Sequence, residues 1–549
     1  MDRAISNKDS LDHIKECIDK SESFILEAGA GSGKTWTLVE SLKYIIENKK
    51  KTLIKNNQKI VCITYTNVAK NEIIERTYNN ELIYVGTIHE FLWSCIKNYQ
   101  KELKQLLVEE NSDLTLENSI QYENYPDIPN GIISHNDVLK LAQKIFNKYP
   151  LLSRIIIDSY PYIFVDEYQD TQKETIDVLL NVLLKEKPED SILVIGFFGD
   201  SMQSIYPNGI ESINNVETSL DLKIITKEDN YRCSRKVIDV LNHIRTDFKQ
   251  KPAGKNLEGS TVFLYCSNTK NPNENYDKCV KYLSEKKGWD FDQNTKILFL
   301  THRKISSYMN FDELFLIFNE RYRSVATEQL NELKNPFIEY LIGHIEKAVD
   351  LYTANNFNEF FKIINFKLEN QESKKELNDL VTKLVDLRIK STIKGVIDYA
   401  TTANLFKKTD RILNFEKKLA EKDCEDKVKV FYEKLMSLKY EQIINFSKFT
   451  QEDTPFSTKH GIKGAEFDNV LVVIDDTAWN LYSFSEVFGG ITIRNNEKNA
   501  RYYRTLKLLY VCCSRSKNNL AVLFLTDINK EGLKNAESWF GTDSIVNIS

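Results

Sequence analysis

Ala28-Gly29-Ala30-Gly31-Ser32-Gly33-Lys34-Thr35, residues 28–35, decides how this chain is read. It follows the apolar run Phe24-Ile25-Leu26 and opens a helical pattern. Glycines at this spacing let the backbone approach phosphate oxygens closely enough for its N–H groups to point inward. Lys34 is spaced to reach the β- and γ-phosphates, the Thr35 hydroxyl to ligate Mg²⁺, and the helix beginning there adds its N-terminal partial charge. Ala28 stands where the usual G-x-x-x-x-G-K-[ST] pattern has its first glycine, a mild departure.

Outward from this loop, from Ser23 to Asp200, short apolar runs alternate with helical patterns, which implies a parallel sheet covered by helices. Phe24-Ile25-Leu26, Ile60-Val61-Cys62-Ile63, Tyr162-Ile163-Phe164-Val165 and Ile192-Leu193-Val194-Ile195 read as strands covered on both faces. A second series starts at Thr261–Tyr265 and continues through Lys296–Leu300. It resumes at Asn469–Ile474 and Leu520–Phe524. The stretches between are helical and of mixed charge. The expected organisation is a first core in two parts (1–97 and 161–250) with a helical insertion at 98–160. A second core, again in two parts (251–303 and 446–549), carries a helical insertion at 304–445. At ~150 residues per domain, 549 residues suit three to four such units.

Composition narrows the function classes. Lys+Arg 74 against Asp+Glu 79 leaves a net charge of −5, so nucleic-acid binding requires a local groove and not a basic coat. Nine cysteines, scattered and without C-x-x-C, form neither a disulfide scaffold nor a zinc site. The first twenty residues contain no apolar stretch, and no window approaches ~18 consecutive apolar residues. The expectation is a cytoplasmic protein without membrane contact. Lys49-Lys50-Lys51 reads as a solvated turn after a helix, and Cys512-Cys513 as buried packing in a strand-like run.

Val165-Asp166-Glu167 carries the second chemical signal. Alone, an acidic pair at a strand end is more often a helix N-cap. After a phosphate loop, it places Asp166 to hold Mg²⁺ through water and Glu167 to polarise an attacking water as general base.

At Asp166-Glu167-Tyr168-Gln169-Asp170-Thr171-Gln172 the match becomes specific. Together with AGAGSGKT it resembles the UvrD/Rep-like helicases of superfamily one, and further segments follow in that family's order. Ile63–Lys70 resembles "TFTNKAA", Val85–His89 "VGTFH", Gly199–Tyr206 "GDxxQSIY" and Asn230–Ser234 "NYRS". His460–Phe467 is similar to "HxxKGLEF" and Leu509–Ser516 to "LxYVxxTRA".

The resemblance implies two RecA-like P-loop cores and an ATP- and Mg²⁺-dependent motor moving 3′ to 5′ on single-stranded or partly duplex DNA. It further implies that Gln203 and Arg232 contact the γ-phosphate, that Tyr231 stacks on the base and that Glu466 bonds the ribose. Arg515, expected from the second core, serves as an arginine finger. The DNA-facing positions it implies are Tyr65, Thr66, Asn67, Thr87 and His89, and His460 is read as a hydrogen-bonding group near DNA or the domain seam. Catalysis would then rest on Lys34, Asp166, Glu167, Gln203, Arg232 and Arg515.

Three departures qualify that picture. The first glutamine in the chain is Gln58, so the upstream glutamine that reads adenine in the family is missing, with Asp12-His13 in its region. Trp36 stands where the family tends to have Arg, which points to base contact by stacking. Pro207-Asn208-Gly209-Ile210 replaces "GWRGA", which removes a tryptophan platform worth ~1–3 kcal/mol per stacked base. These departures and the acidic balance keep a second reading open: an ATP-binding switch subunit partnered with a nuclease, in repair or in defence against foreign DNA.

Overall fold

The computed structural model describes residues 9–110, 114–123, 127–204, 222–267, 269, 271–291, 293–299, 306–331, 333–421, 425–450, 456–457, 465–476, 482–489 and 496–548. His460 and Pro207–Ile210 lie outside them. The chain is mixed α/β and divides into two compact units. The first comprises 1–261, 482–520 and 530–544, and the second 262–481, 521–529 and 545–549. This division groups 482–520 with the first unit, while the strand Ser516–Phe524 that starts directly after Arg515 belongs to the second six-stranded sheet.

The first unit is built on six parallel strands: β1 (Phe24–Ala28), β2 (Ile60–Ile63), β3 (Ile83–Gly86), β4 (Tyr162–Asp166), β5 (Val194–Gly199) and β6 (Lys223–Lys227). Their spatial order is β3-β2-β4-β5-β1-β6. β1, β2, β4 and β5 are apolar almost without interruption because helices cover both faces, and Phe24, Phe164 and Phe198 pack ring against ring across the centre. β1 and β5 are in register with Glu27 beside Gly199, and β4 with β5 so that Asp166 lies beside Phe198. The turns after β1, β4 and β5 therefore emerge together at the carboxyl edge of the sheet, where open α/β sheets place ligands.

Three readings need correction. The run at Ile192 begins pairing only at Val194, and Ile192 and Leu193 lie in the irregular segment before the strand. Lys49–Lys51 is no turn but part of the helix Lys34–Lys55, where Lys49 pairs with Asp19 at 3.1 Å. The run around Cys512-Cys513 is not a strand: Asn496–Cys513 is a helix whose last turns are buried on every side. A continuous apolar run fits a buried strand and a buried helix equally well, so periodicity could not separate them. Packing does hold for the two thiols. Neither is in a disulfide and both are buried, and burial pushes the Cys513 thiol well above its usual range. β3 and β6 escaped the sequence reading; both are edge strands, and most of their residues are only partly buried or exposed.

The second unit has its own six-stranded sheet, in which Thr295–Phe299 pairs in parallel with Phe467–Ile474 and Phe456–Ser457, and Ser260–Tyr265 with Ile545–Asn547. Two parallel-sheet P-loop-type cores are the fold class expected. Helices fill the chain from Asp312 to Thr450. Inside them, Arg388 Nε donates to Glu346 at 2.7 Å and the Tyr440 hydroxyl donates to the same carboxylate at 2.9 Å. Among the described residues no helix is long and apolar enough to cross a membrane.

Candidate active site

The site grows from the turn after β1. Gly33 adopts φ +77° as the N-cap of the helix Lys34–Lys55, and Gly31 adopts φ +72°. A Cβ at Gly31 would stand 2.6 Å from Arg232 Cβ and 2.8 Å from Asn230 Oδ1, so only glycine admits that close approach. Tyr231 N–H donates to Gly31 O at 2.9 Å and thereby pins the Asn230–Ser234 segment against the loop. Ser32 Oγ is buried, with no hydrogen-bond partner among the described residues. The loop thus holds left-handed glycines, an orphaned hydroxyl and Lys34, a donor set that fits a polyphosphate.

Lys34 Nζ lies 2.7 Å from Glu167 Oε2. Burial disfavours its ammonium, but Glu167 and then Asp166 outweigh that effect and hold it above the usual lysine value. Asp166 is buried at the end of β4, where its Oδ1 accepts the N–H of Glu167 at 3.0 Å. Glu167 itself sits at φ +51°, a left-handed conformation that costs a non-glycine residue ~1 kcal/mol or more and is found where function over-determines the backbone. Gln169 Nε2 donates to the Glu167 carboxylate, and Gln169 Oε1 accepts from Asp200 N–H at 3.1 Å, which ties the turns after β4 and β5 together. Asp166, with the Thr35 hydroxyl, offers the hard oxygen ligands that Mg²⁺ takes.

Two arginines complete the crevice. Arg515, 1% exposed, donates through Nη2 to Gln203 Oε1 at 2.8 Å and through Nε to Val511 O at 3.0 Å. Burial, with Arg232 nearby, pushes its pKa down to about 10, while Glu167 acts in the opposite sense. Arg232 Nη1 donates to Ser514 O at 3.3 Å. Glu167 therefore contacts Lys34 and also acts electrostatically on Arg515. Tyr231 (58% exposed) and Trp36 (48%) are open aromatic faces on that unit.

The positions expected to face nucleic acid divide. Tyr65 is exposed. Thr66 and Thr87 spend their hydroxyls as helix caps, accepting from Ala69 N at 3.2 Å and Glu90 N at 3.2 Å, and Glu90 closes a capping box. Asn67 begins the helix Asn67–Arg76. His89 stacks on His135 with centroids 4.8 Å apart, and its Nε2 has no partner among the described residues. Glu466 is exposed in the second unit.

Sequence reasoning missed a buried polar layer behind the crevice: Glu27, Asp200, Arg245, Gln250 and Tyr510. Asp200 and Tyr510 stood in recognised segments without a role. Arg245 and Gln250 had no signal beyond being polar residues near a helix end.

A family model described as an AAA domain matches residues 14–208. Gabija protein GajB of Bacillus cereus strain HuB5-5 is 30% identical, covering 94% of this chain and 95% of its own length. GajB of B. cereus strain VD045 is 22% identical over 93% of this chain and 94% of its own. The ATP-dependent DNA helicase PcrA of Staphylococcus aureus is 24% identical, over 44% of this chain and 41% of PcrA.

Proposed function

The chain belongs to the UvrD/Rep-like helicase family, alongside the GajB proteins, and from that membership we propose that it hydrolyses ATP to drive translocation on, or unwinding of, single-stranded or partly duplex DNA in the 3′-to-5′ direction. One observation carries this reading. Lys34 pairs with Glu167 beside Asp166, while Arg515 holds Gln203 and Arg232 holds the carbonyl of Ser514 next to Arg515, groups of the kind that phosphoryl transfer uses.

Mg-ATP supplies the phosphoryl group and the divalent charge. Residues Ala28 to Gly33 cradle the phosphates through their backbone, Lys34 binds the terminal phosphates, and Thr35 with Asp166 holds the metal. Lys34 exchanges Glu167 for phosphate, which frees the carboxylate to take a proton from the attacking water. Arg232 and Arg515 balance charge that develops on the transferring group, and Gln203 links that charge to the segment leading from β5. Trp36 and Tyr231 hold the base. Tyr65, Thr66, Asn67, Thr87 and His89 face the strand.

A second reading, an ATP-driven subunit that works with a nuclease in defence against foreign DNA, is favoured by the near full-length match to the Gabija proteins. ATPase assays with and without single-stranded DNA, beside a strand-displacement assay, test both. The motor reading expects strong stimulation by single-stranded DNA and strand displacement by the isolated chain. The subunit reading expects slow hydrolysis and no displacement. A chain that neither binds nor hydrolyses ATP refutes both.

A further inference from the structure

Arg245 and Arg515 are among the largest fully buried side chains, yet Arg245 lies outside every recognised segment, one residue past the helix Arg235–Ile244. Its guanidinium faces two ways. Nη1 donates to the Tyr510 hydroxyl at 3.0 Å, and Nη2 lies 3.1 Å from Asp200 Oδ1. Asp247 secures the remaining face through Nε at 2.7 Å and Nη2 at 3.0 Å.

On one side the chain of bonds reaches the phosphate loop. The Tyr510 hydroxyl accepts Ala30 N–H at 3.0 Å and donates to Gln250 Oε1 at 3.2 Å, and Gln250 Nε2 donates to Ala30 O at 2.8 Å. That hydroxyl is saturated, with both lone pairs and its proton engaged. On the other side the chain reaches the second cation. Asp200 Oδ2 accepts from Gln203 Nε2 at 2.8 Å, and Gln203 Oε1 accepts from Arg515 Nη2 at 2.8 Å. Burial opposes the Arg245 charge, but Asp200, Tyr510 and Asp247 more than offset it, so the guanidinium stays ionised. A buried polar network that is fully satisfied in this way rigidifies the segments it joins.

We propose that Arg245 is a positioning residue for phosphoryl transfer: it fixes the phosphate loop at Ala30 to the Gln203–Arg515 pair through Tyr510 and Asp200, so that loop and finger hold one alignment. This rests on reading the crevice as an ATP site. Arg245 touches neither nucleotide nor the reacting atoms. Its effect is expected in turnover and not in nucleotide affinity, and a misalignment of this kind costs about 100-fold in rate.

The test uses the full chain and compares wild type with Arg245→Met, Arg245→Lys and Tyr510→Phe. Affinity is read from a fluorescent ATP analogue, and kcat and KM from steady-state hydrolysis. Arg245→Met should bind the analogue within about threefold of wild type, with kcat down about 100-fold. Arg245→Lys, which restores the charge at Asp200 but not the second reach, should recover part of the loss. Tyr510→Phe, which removes one oxygen, should also lower kcat at unchanged affinity, and it stands as the test if Arg245→Met does not fold. Because Arg245 acts through Gln203, combining Arg245→Met with Gln203→Ala should be no worse than the poorer single variant, where independent effects would multiply. A wild-type chain without hydrolysis removes the ATPase reading and this inference together. Wild-type hydrolysis with Arg245→Met and Tyr510→Phe each within threefold in kcat overturns the inference alone. So do affinity and kcat that fall in proportion, or multiplying losses in the double variant.

Discussion

Arg515→Gln separates chemistry from stability more cleanly than any other substitution in the crevice. Arg515 is buried with its pKa pushed down from the usual arginine value to about 10, which corresponds to roughly 3 kcal/mol of native-state cost for carrying the charge. At pH 7.5 it is still about 99% cationic, so the charge is present when phosphate arrives. Its bonds to Gln203, Val511 and Ser514 return about 1 kcal/mol each, which roughly cancels that cost. Glutamine removes both the charge and most of the bonds, so the melting temperature should move by no more than a few degrees. Turnover should fall by about 10³-fold or more, the magnitude of an arginine that meets transition-state charge. The assay pairs a circular-dichroism melt with hydrolysis of Mg-ATP at saturating single-stranded DNA. Turnover within tenfold of wild type at an unchanged melting temperature would refute the reasoning, and so would a loss that simply tracks unfolding.

Three further outcomes follow from groups away from the transferring phosphate. Burial, and then Asp200, raise the Glu27 carboxyl above its usual 4.5, so the fold prefers it protonated. Glu27→Gln should therefore stabilise the first unit at pH 7–8, with the gain fading as the pH falls to about 4.5, as read by melting temperature across pH. Arg388→Met leaves the Glu346 carboxylate buried without its cation and should cost the second unit about 3–5 kcal/mol, largely recovered when Glu346→Gln is added, as read by urea unfolding. Burial, and then His135, lower His89 from 6.5 to about 4, so its neutral form belongs to the folded state. Stability from His89 should be fully present above pH 6.5 and be lost as the pH falls toward 4, and His89→Phe should flatten that slope in a pH series of melts.

The parts of this fold that the sequence announced share one property: their residue types are forced by local chemistry. A left-handed turn at Gly31 and Gly33, a lysine behind it, and an acidic pair at the end of β4 can be read in one dimension because backbone geometry and phosphate binding both act over a few residues. What could not be read depends on tertiary burial. The apolar run at Leu508–Cys513 fits strand and helix alike until its neighbours are known. Lys49–Lys51 looked like a breaker but rides the exposed face of a long helix, with Asp19 opposite Lys49. Arg515 stands between the helix Asn496–Cys513 and the strand Ser516–Phe524, and no local pattern shows that this helix carries Tyr510 to the phosphate loop. Arg245 and Gln250 are polar residues in a loop by pattern, and their value appears only when four separate segments meet around them.

Nucleotide binding and turnover measured side by side in Glu167→Gln probe the central claim most directly, that Lys34, Asp166, Glu167 and Arg515 converge on one phosphoryl group. Removing the carboxylate charge releases Lys34 from its 2.7 Å ion pair while it deprives the water of its base. The account predicts that Mg-ATP binds at least as tightly as in wild type and that DNA-stimulated hydrolysis nearly vanishes. Hydrolysis that persists at the wild-type rate would contradict it.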